Sequence, residues 1–315
     1  MKTMKKQIVH VEPIFKERIW GGNQIKTRFH GITEIDPVGE IWSVAALKEF
    51  GDNRLSELNM SLSEVYEQYP DWFGCSSRNF PIRCTFIDPI AWLSVQVHPT
   101  DVYAQKTMNT SGKSEAWYII ETKENHKVQF GHSANNREEF AQLAQTGNWD
   151  QLLRFVDVNP GDFLNVPAGT IHAIGKDILA FEIAQNTDIT FRIYDYDRVD
   201  KKTGKTRDLH FEQGLDVLKF PHQESGPIHP DAFEDKGCMI TNFIDKAHYF
   251  TLYKIETTNQ GEFNMSHFYF LSVIEGKGQV NDIQVQPGMT LLIPSQFGPI
   301  NISGEIIALI SSYHD

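Results

Sequence analysis

Asn159-Pro-Gly-Asp-Phe-Leu-Asn-Val-Pro-Ala-Gly-Thr-Ile-His172 is the stretch that decides how this chain is read. Pro160-Gly161 makes a tight turn and Phe163 to Pro167 reads as a short strand. Pro167-Ala-Gly169 then turns the chain again, so that His172 opens the next strand. A histidine set on a strand edge by two rigid turns is well placed to be a ligand, although a hairpin histidine can also do no more than satisfy its own hydrogen bonds. The PG, five residues, P frame recurs in Pro287-Gly-Met-Thr-Leu-Leu-Ile-Pro294, offset by 127 positions. Carried forward by that offset, Gly169 falls on Gln296 and His172 on Pro299, so the second copy keeps the turns and loses the ligand.

The spacing of Gly161, Pro167, Gly169 and His172 resembles the second signature of the cupin superfamily, whose fold is a small double-sheeted β-barrel with a metal in its mouth. With the internal repeat, that resemblance implies a mainly β chain of two cupin-like jelly-roll barrels, with metal chemistry only in the first.

At 315 residues the chain is long enough for one large or two modest domains. A net charge of -12, from 41 acidic against 29 basic residues, argues against nucleic acid or an anionic membrane as partner. Any anionic ligand must then meet a local basic cluster. Cys75, Cys84 and Cys238 are odd in number and not spaced as a metal knuckle, which fits a reducing compartment. The N-terminal MKTMKKQIVHVEP has no long apolar run behind its lysines, and no segment approaches the ~20 apolar residues of a membrane span. A cytoplasmic, unprocessed protein is expected.

Along the chain, residues 7–15 read as a strand ending at Pro13 and residues 38–47 as another, with Glu40 flanked by apolar neighbours and so a candidate to face a cavity. Ser61 and Glu64 form a capping box that predicts a helix over 62–69, stopped by Pro70. In 91–99 the alternation puts Leu93, Val95 and Val97 on one face and Ser94, Gln96 and His98 on the other, a polar set that suits a site rather than a packed core. Residues 100–108 look helical, 112–121 return to strand with Lys113 and Glu115 on one side, and a helical insertion is expected from Asn136 to about Phe155. Strand-like runs over 178–194 carry Glu182, Asp188 and Arg192. A charged turn covers 195–206, and 208–219 reads as a helix. The expected division is therefore a catalytic domain with helical insertions over 1–220, a Pro- and Gly-rich linker over 221–237, and a metal-free jelly-roll domain over 238–315.

Gln96 and His98 on one strand, Glu115 on a later one and His172 after the double turn stand out as a metal site. Two imidazoles and a carboxylate suit a divalent transition metal without choosing among zinc, iron and manganese, and the weak neutral oxygen of Gln96 can either ligate or hydrogen-bond a ligand.

Taken together, QVHP (96–99), KSE (113–115), PAGTIHAI (167–174) and NTDITFRIYDYDR (186–198) resemble the type I mannose-6-phosphate isomerases, in the short bacterial form without a large helical domain. The resemblance covers essentially the whole chain. It implies one Zn2+ per chain on Gln96, His98, Glu115 and His172, and Arg192 as the active-site arginine. It also implies a substrate pocket containing Glu40, Ser94, Lys113, Glu182, Asp188 and Arg198. A pocket tyrosine of longer members is Ile174 here, which puts a role for that hydroxyl in doubt.

The implied reaction interconverts mannose 6-phosphate and fructose 6-phosphate through an enediolate whose charge the metal and Arg192 stabilise. The base stays open between Glu182 and a water on the metal, with Lys113 as a further proton carrier. Lys113, Arg198 and Ser94 are the candidates for the phosphate. Two competing readings are an iron-dependent cupin dioxygenase and a cupin that senses sugar phosphates without turnover.

Overall fold

The computed structural model describes residues 4–29, 33–123, 126–246 and 249–315, so Met1 to Thr3 of the N-terminal stretch lie outside it. The chain is mainly β, arranged in antiparallel sheets, and the described helices all precede residue 218.

Two sheets position the site. The first has six strands in the order Phe163–Val166, Glu115–Thr122, Ile178–Gln185, Ile82–Ile87, Val38–Val44 and Ile14–Gly22. The second has five, in the order Leu153–Asp157, Lys127–His132, His172–Ala173, Val95–Val97 and Phe191–Tyr194.

Alternation along the six-stranded sheet sends its side chains to two different cores. Ile82, Cys84, Phe86, Ala116, Tyr118, Phe181 and Ile183 pack outward in one cluster with Phe250, Leu252, Phe270, Leu292 and Leu309 of the C-terminal strands. Ile87, Trp117, Ile119 and Ala180 pack inward against Val95, Val97, Val128, Phe130 and Phe191 of the five-stranded sheet. Buried on both faces, the strands Ile82–Ile87 and Ile178–Gln185 contain no exposed residue. Their few polar side chains therefore point into the protein and need partners there.

An eleven-stranded sheet, built mostly from residues after 232, encloses a third core around Tyr269, Leu271, Val273, Leu291, Ile293, Ala308 and Ile310. Its Thr290–Ile293 strand follows the second Pro-Gly turn and pairs with Tyr269–Val280. The C-terminal sheet thus lies on the outer face of the sheet whose inner face carries the site.

Several local expectations are met and several are corrected. The helix Leu62–Gln68 has the full reciprocal capping box between Ser61 and Glu64, and Asp101–Met108 begins on the Thr100 cap. The expected strand over 7–15 breaks at Pro13. Val9–Val11 pairs with Thr290–Leu292 of the eleven-stranded sheet, and Ile14–Gly22 joins the six-stranded one, so sheet membership does not follow chain order.

Within the expected linker, Ala232–Asp235 is a strand paired with Cys238–Thr241. All four of its residues are exposed, so it lacks the apolar alternation of a half-buried strand. The helical insertion ends at Leu152, and Leu153–Asp157 is an edge strand. Only Val95–Val97 of 91–99 and only Phe211–Val217 of 208–219 keep the expected structure.

Phe86 is fully buried between the six-stranded sheet and the C-terminal strands, edge-on to Phe181 at 5.1 Å. Phe86→Ala is expected to cost about 3–5 kcal/mol of stability, read as a shift in the denaturant midpoint. A shift under about 1 kcal/mol would mean that this interface relaxes around the loss.

Candidate active site

The double turn does what its residues require. Gly161 (φ +93°) and Gly169 (φ +87°) both lie in the left-handed region. A Cβ at Gly169 would also come within 2.9 Å of the Val217 carbonyl oxygen. The Gly169 N–H donates to the His98 carbonyl at 2.9 Å, which ties the turn to the segment bearing the other histidine. His172 then pairs with Gln96 across the five-stranded sheet, and Gln96 with Arg192 on its other side.

Glu115 comes from the opposite sheet. It has the parity of Trp117 and Ile119, so it points inward. Its Oε2 is 3.2 Å from His98 Nε2 and its Oε1 is 3.3 Å from His172 Nε2, while the two imidazole centroids are 4.8 Å apart. The Gln96 amide lies 3.4 Å from His172 Nε2. Turned over about its own axis, that amide would present its oxygen to the same point. All four residues expected to hold a metal therefore meet in one place.

The protonation states suit a cation. Burial, and then the charge of Lys113, pull His98 down to about 3, and burial likewise pulls His172 down. His172 Nδ1 lies 2.9 Å from the Thr170 carbonyl, which can only accept, so the proton is on Nδ1 and the Nε2 lone pair faces Glu115. Burial alone would push the Glu115 carboxyl up, but Lys113 and the two imidazoles hold it well below the usual range. Two neutral imidazoles and an ionised carboxylate, all withdrawn from water, with the half-buried amide of Gln96 beside them, are a donor set that fits a divalent transition metal.

Beside this cluster a cavity of about 450 Å3 opens, lined by Glu40, Ser94, Gln96, Lys113, Glu182, Asp188 and Arg192. Lys113 Nζ lies 2.6 Å from Glu115 Oε2 and 3.4 Å from Glu182 Oε1, bridging the ligand carboxylate and the second buried one. Burial, and then the charge of Glu115, raise the Glu182 carboxyl above its ordinary range. Glu40 goes the other way. Burial pushes it up, but a two-armed pair with Arg18 at 2.8 and 2.9 Å and a hydrogen bond from Trp42 Nε1 outweigh that and hold it down.

Arg198 is placed differently from the expectation: it is not among the residues lining the cavity. Its guanidinium donates to the Trp92 carbonyl and to Asp195 and lies over the Tyr196 ring. Ile174, at the tyrosine position, is fully buried in the inner core and offers no hydroxyl.

Arg18, Arg83, Thr85 and Arg207 line the cavity without having been singled out. Arg83 bonds Asp188 at 2.8 Å and Glu182 at 3.3 Å and lies over the Trp42 ring. The alternation of Ile82, Cys84 and Phe86 with Arg83 and Thr85 was the available signal for two of them.

His172→Ala is expected to lose the divalent metal, measured as metal per chain, while the variant keeps its folded circular dichroism spectrum. A variant with unchanged metal content would contradict the assignment.

Comparison with known proteins agrees with this geometry. Residues 8–142 match the family described as phosphomannose isomerase type I, catalytic domain, and residues 239–314 match the mannose-6-phosphate isomerase cupin domain. The mannose-6-phosphate isomerase ManA of Bacillus subtilis is 37% identical over 311 residues, covering 95% of this chain and 97% of that protein. The mannose-6-phosphate isomerase of Streptococcus mutans is 32% identical over 317 residues, covering 95% and 98%. A crystal structure of the mannose 6-phosphate isomerase from Bacillus subtilis superposes with a TM-score of 0.92 at 33% identity, covering 98% of this chain and 99% of that one. The two-sheet metal cluster, the cavity beside it and these full-length likenesses place the chain in the type I mannose-6-phosphate isomerase family.

Proposed function

We propose that this chain interconverts mannose 6-phosphate and fructose 6-phosphate, with one zinc ion held by Gln96, His98, Glu115 and His172. The observation that carries the reading is the Lys113 bridge. A single ammonium on the cavity wall links the carboxylate of the metal cluster to Glu182, the buried carboxylate with raised proton affinity. Family membership favours neither the dioxygenase nor the binding-only alternative.

A divalent ion, when bound, supplies Lewis-acid stabilisation to the negative charge that develops on the two neighbouring oxygens of an enediolate. The remaining work falls to this chain's own side chains. Glu182 moves the proton between C1 and C2, since a carboxyl whose proton affinity is raised by burial takes up a proton more readily than an ordinary one. Lys113 places positive charge between that carboxyl and the reacting oxygens. Arg192, paired with Gln96 across the sheet, adds a second cation beside the anionic intermediate. Glu40, Ser94 and Asp188 line the cavity as partners for sugar hydroxyls. Zinc is the divalent metal that the family resemblance implies, and two neutral imidazoles and a carboxylate are ligands it accepts.

A cytoplasmic location is supported by three free cysteines, as in a reducing compartment. Among the described residues no helix is long and apolar enough to cross a membrane.

Chelation is expected to abolish turnover of mannose 6-phosphate, and added zinc to restore it. Robust activity in metal-free protein would contradict the proposal. Glu182→Gln should lower kcat by roughly 100-fold or more with KM and metal content little changed. A kcat near the parent's would remove Glu182 from the proton path.

A further inference from the structure

Arg192 and Arg207 both line the cavity, and Arg198 shares Asp195 with Arg207. Asp195 accepts from Arg207 Nε at 2.8 Å and from Arg207 Nη2 at 2.5 Å, and it also takes Arg198. Arg192 Nη1 donates to the Asp208 carbonyl oxygen at 2.9 Å, and its buried Nε has no hydrogen-bond partner. No carboxylate among the described residues forms an ion pair with Arg192. Burial, and then the nearby charge of Arg207, bring its guanidinium down to about 10. Two cations lining one cavity, one of them without a direct carboxylate pair among the described residues, are an arrangement that an anion would relieve.

Arg198 and Arg207 differ in what they have left to offer. Arg198 is used up by two carbonyl oxygens, by Asp195 and by the Tyr196 ring. Arg207 is held side-on through Nε and Nη2, so no described residue takes its Nη1, and its side chain lines the cavity. A guanidinium fixed on one edge and open on the other is pre-organised for a second oxyanion.

The metal cluster and the strand that carries Arg192 are far enough apart for a sugar phosphate to lie along the cavity. His172, Gln96 and Arg192 are successive partners across three strands, which puts the Arg192 backbone about 10 Å, two strand spacings, from that of His172.

We propose that Arg207, fixed by Asp195 and placed next to Arg192, binds the phosphate of the substrate, and that Arg198 instead buttresses Asp195. The inference rests on the sugar-phosphate reading above. It gives to Arg207 a contact for which the sequence had offered Lys113, Arg198 and Ser94 as candidates.

Calorimetric titration of the metal-loaded full-length protein with inorganic phosphate tests binding without requiring turnover, and steady-state kinetics on mannose 6-phosphate test it in the reaction. For Arg207→Gln, the Kd for phosphate and the KM are expected to rise roughly tenfold to a hundredfold, with kcat and metal content little changed. Arg207→Lys, which keeps the charge and loses the fork, should recover part of the affinity and guards against a folding defect. Kd and KM within twofold of the parent in Arg207→Gln would overturn the proposal, as would a loss of phosphate affinity in Arg198→Gln that Arg207→Gln does not share. Absence of isomerisation by the parent would instead remove the function proposed above, while the phosphate titration would still decide the role of Arg207.

Discussion

The structure turns on one buried carboxylate. Glu115 is fully enclosed, its two oxygens divided between two imidazoles that burial keeps neutral and an ammonium 2.6 Å away. Removing a carboxylate from water is costly unless positive charge is held against it in fixed geometry. The two sheets provide that geometry. Glu115 is fixed by ladders on both sides, to Val166 and to Ala184, while the facing sheet fixes His172 through its pairing with Gln96. Each ligand position is thus set by backbone hydrogen bonds rather than by a mobile loop, the condition for a metal site that does not reorganise when it is filled.

The same sheet face continues the logic away from the metal. Trp42, Thr85, Glu182 and Trp117 form a row across four strands of the six-stranded sheet, with Arg83, Ala184 and Glu115 in the next row. The small Ala184 lies between Arg83 and Glu115, and the charges on this face are distributed as pairs: Arg18 with Glu40, Arg83 with Asp188 and Glu182, Lys113 with Glu115. The outer face of that sheet is apolar and packed on the C-terminal strands. Those strands keep the Pro-Gly turn of the repeat at Gly288 (φ +87°). A strand lattice covered on one side and charged on the other gives a rigid floor to a polar cavity.

Much of this was legible in the residues. The residues of the metal cluster could be read because their signals are local and rigid: two turns that fix His172, and a polar face of period two that groups Ser94, Gln96 and His98. Glu182 and Lys113 followed from the family resemblance, and both line the cavity. Arg83 and Thr85 carried the same period-two signal on 82–87 and were passed over because apolar neighbours dominate that strand. Arg18 gave no local sign, because its role depends on a pairing with Glu40 across two strands. The choice between Arg198 and Arg207 was not legible at all, since it depends on which edge of each guanidinium Asp195 and the Trp92 carbonyl occupy. The strand at Ala232–Asp235 was hidden for the opposite reason: with no buried face it has no apolar pattern to read.

The most direct measurement is anomalous diffraction at the zinc edge from crystals of the protein grown with that metal. A single strong peak between the imidazoles of His98 and His172, in contact with the Glu115 carboxylate, is the predicted result. A peak elsewhere in the chain, or none at that point under saturating metal, would contradict the account.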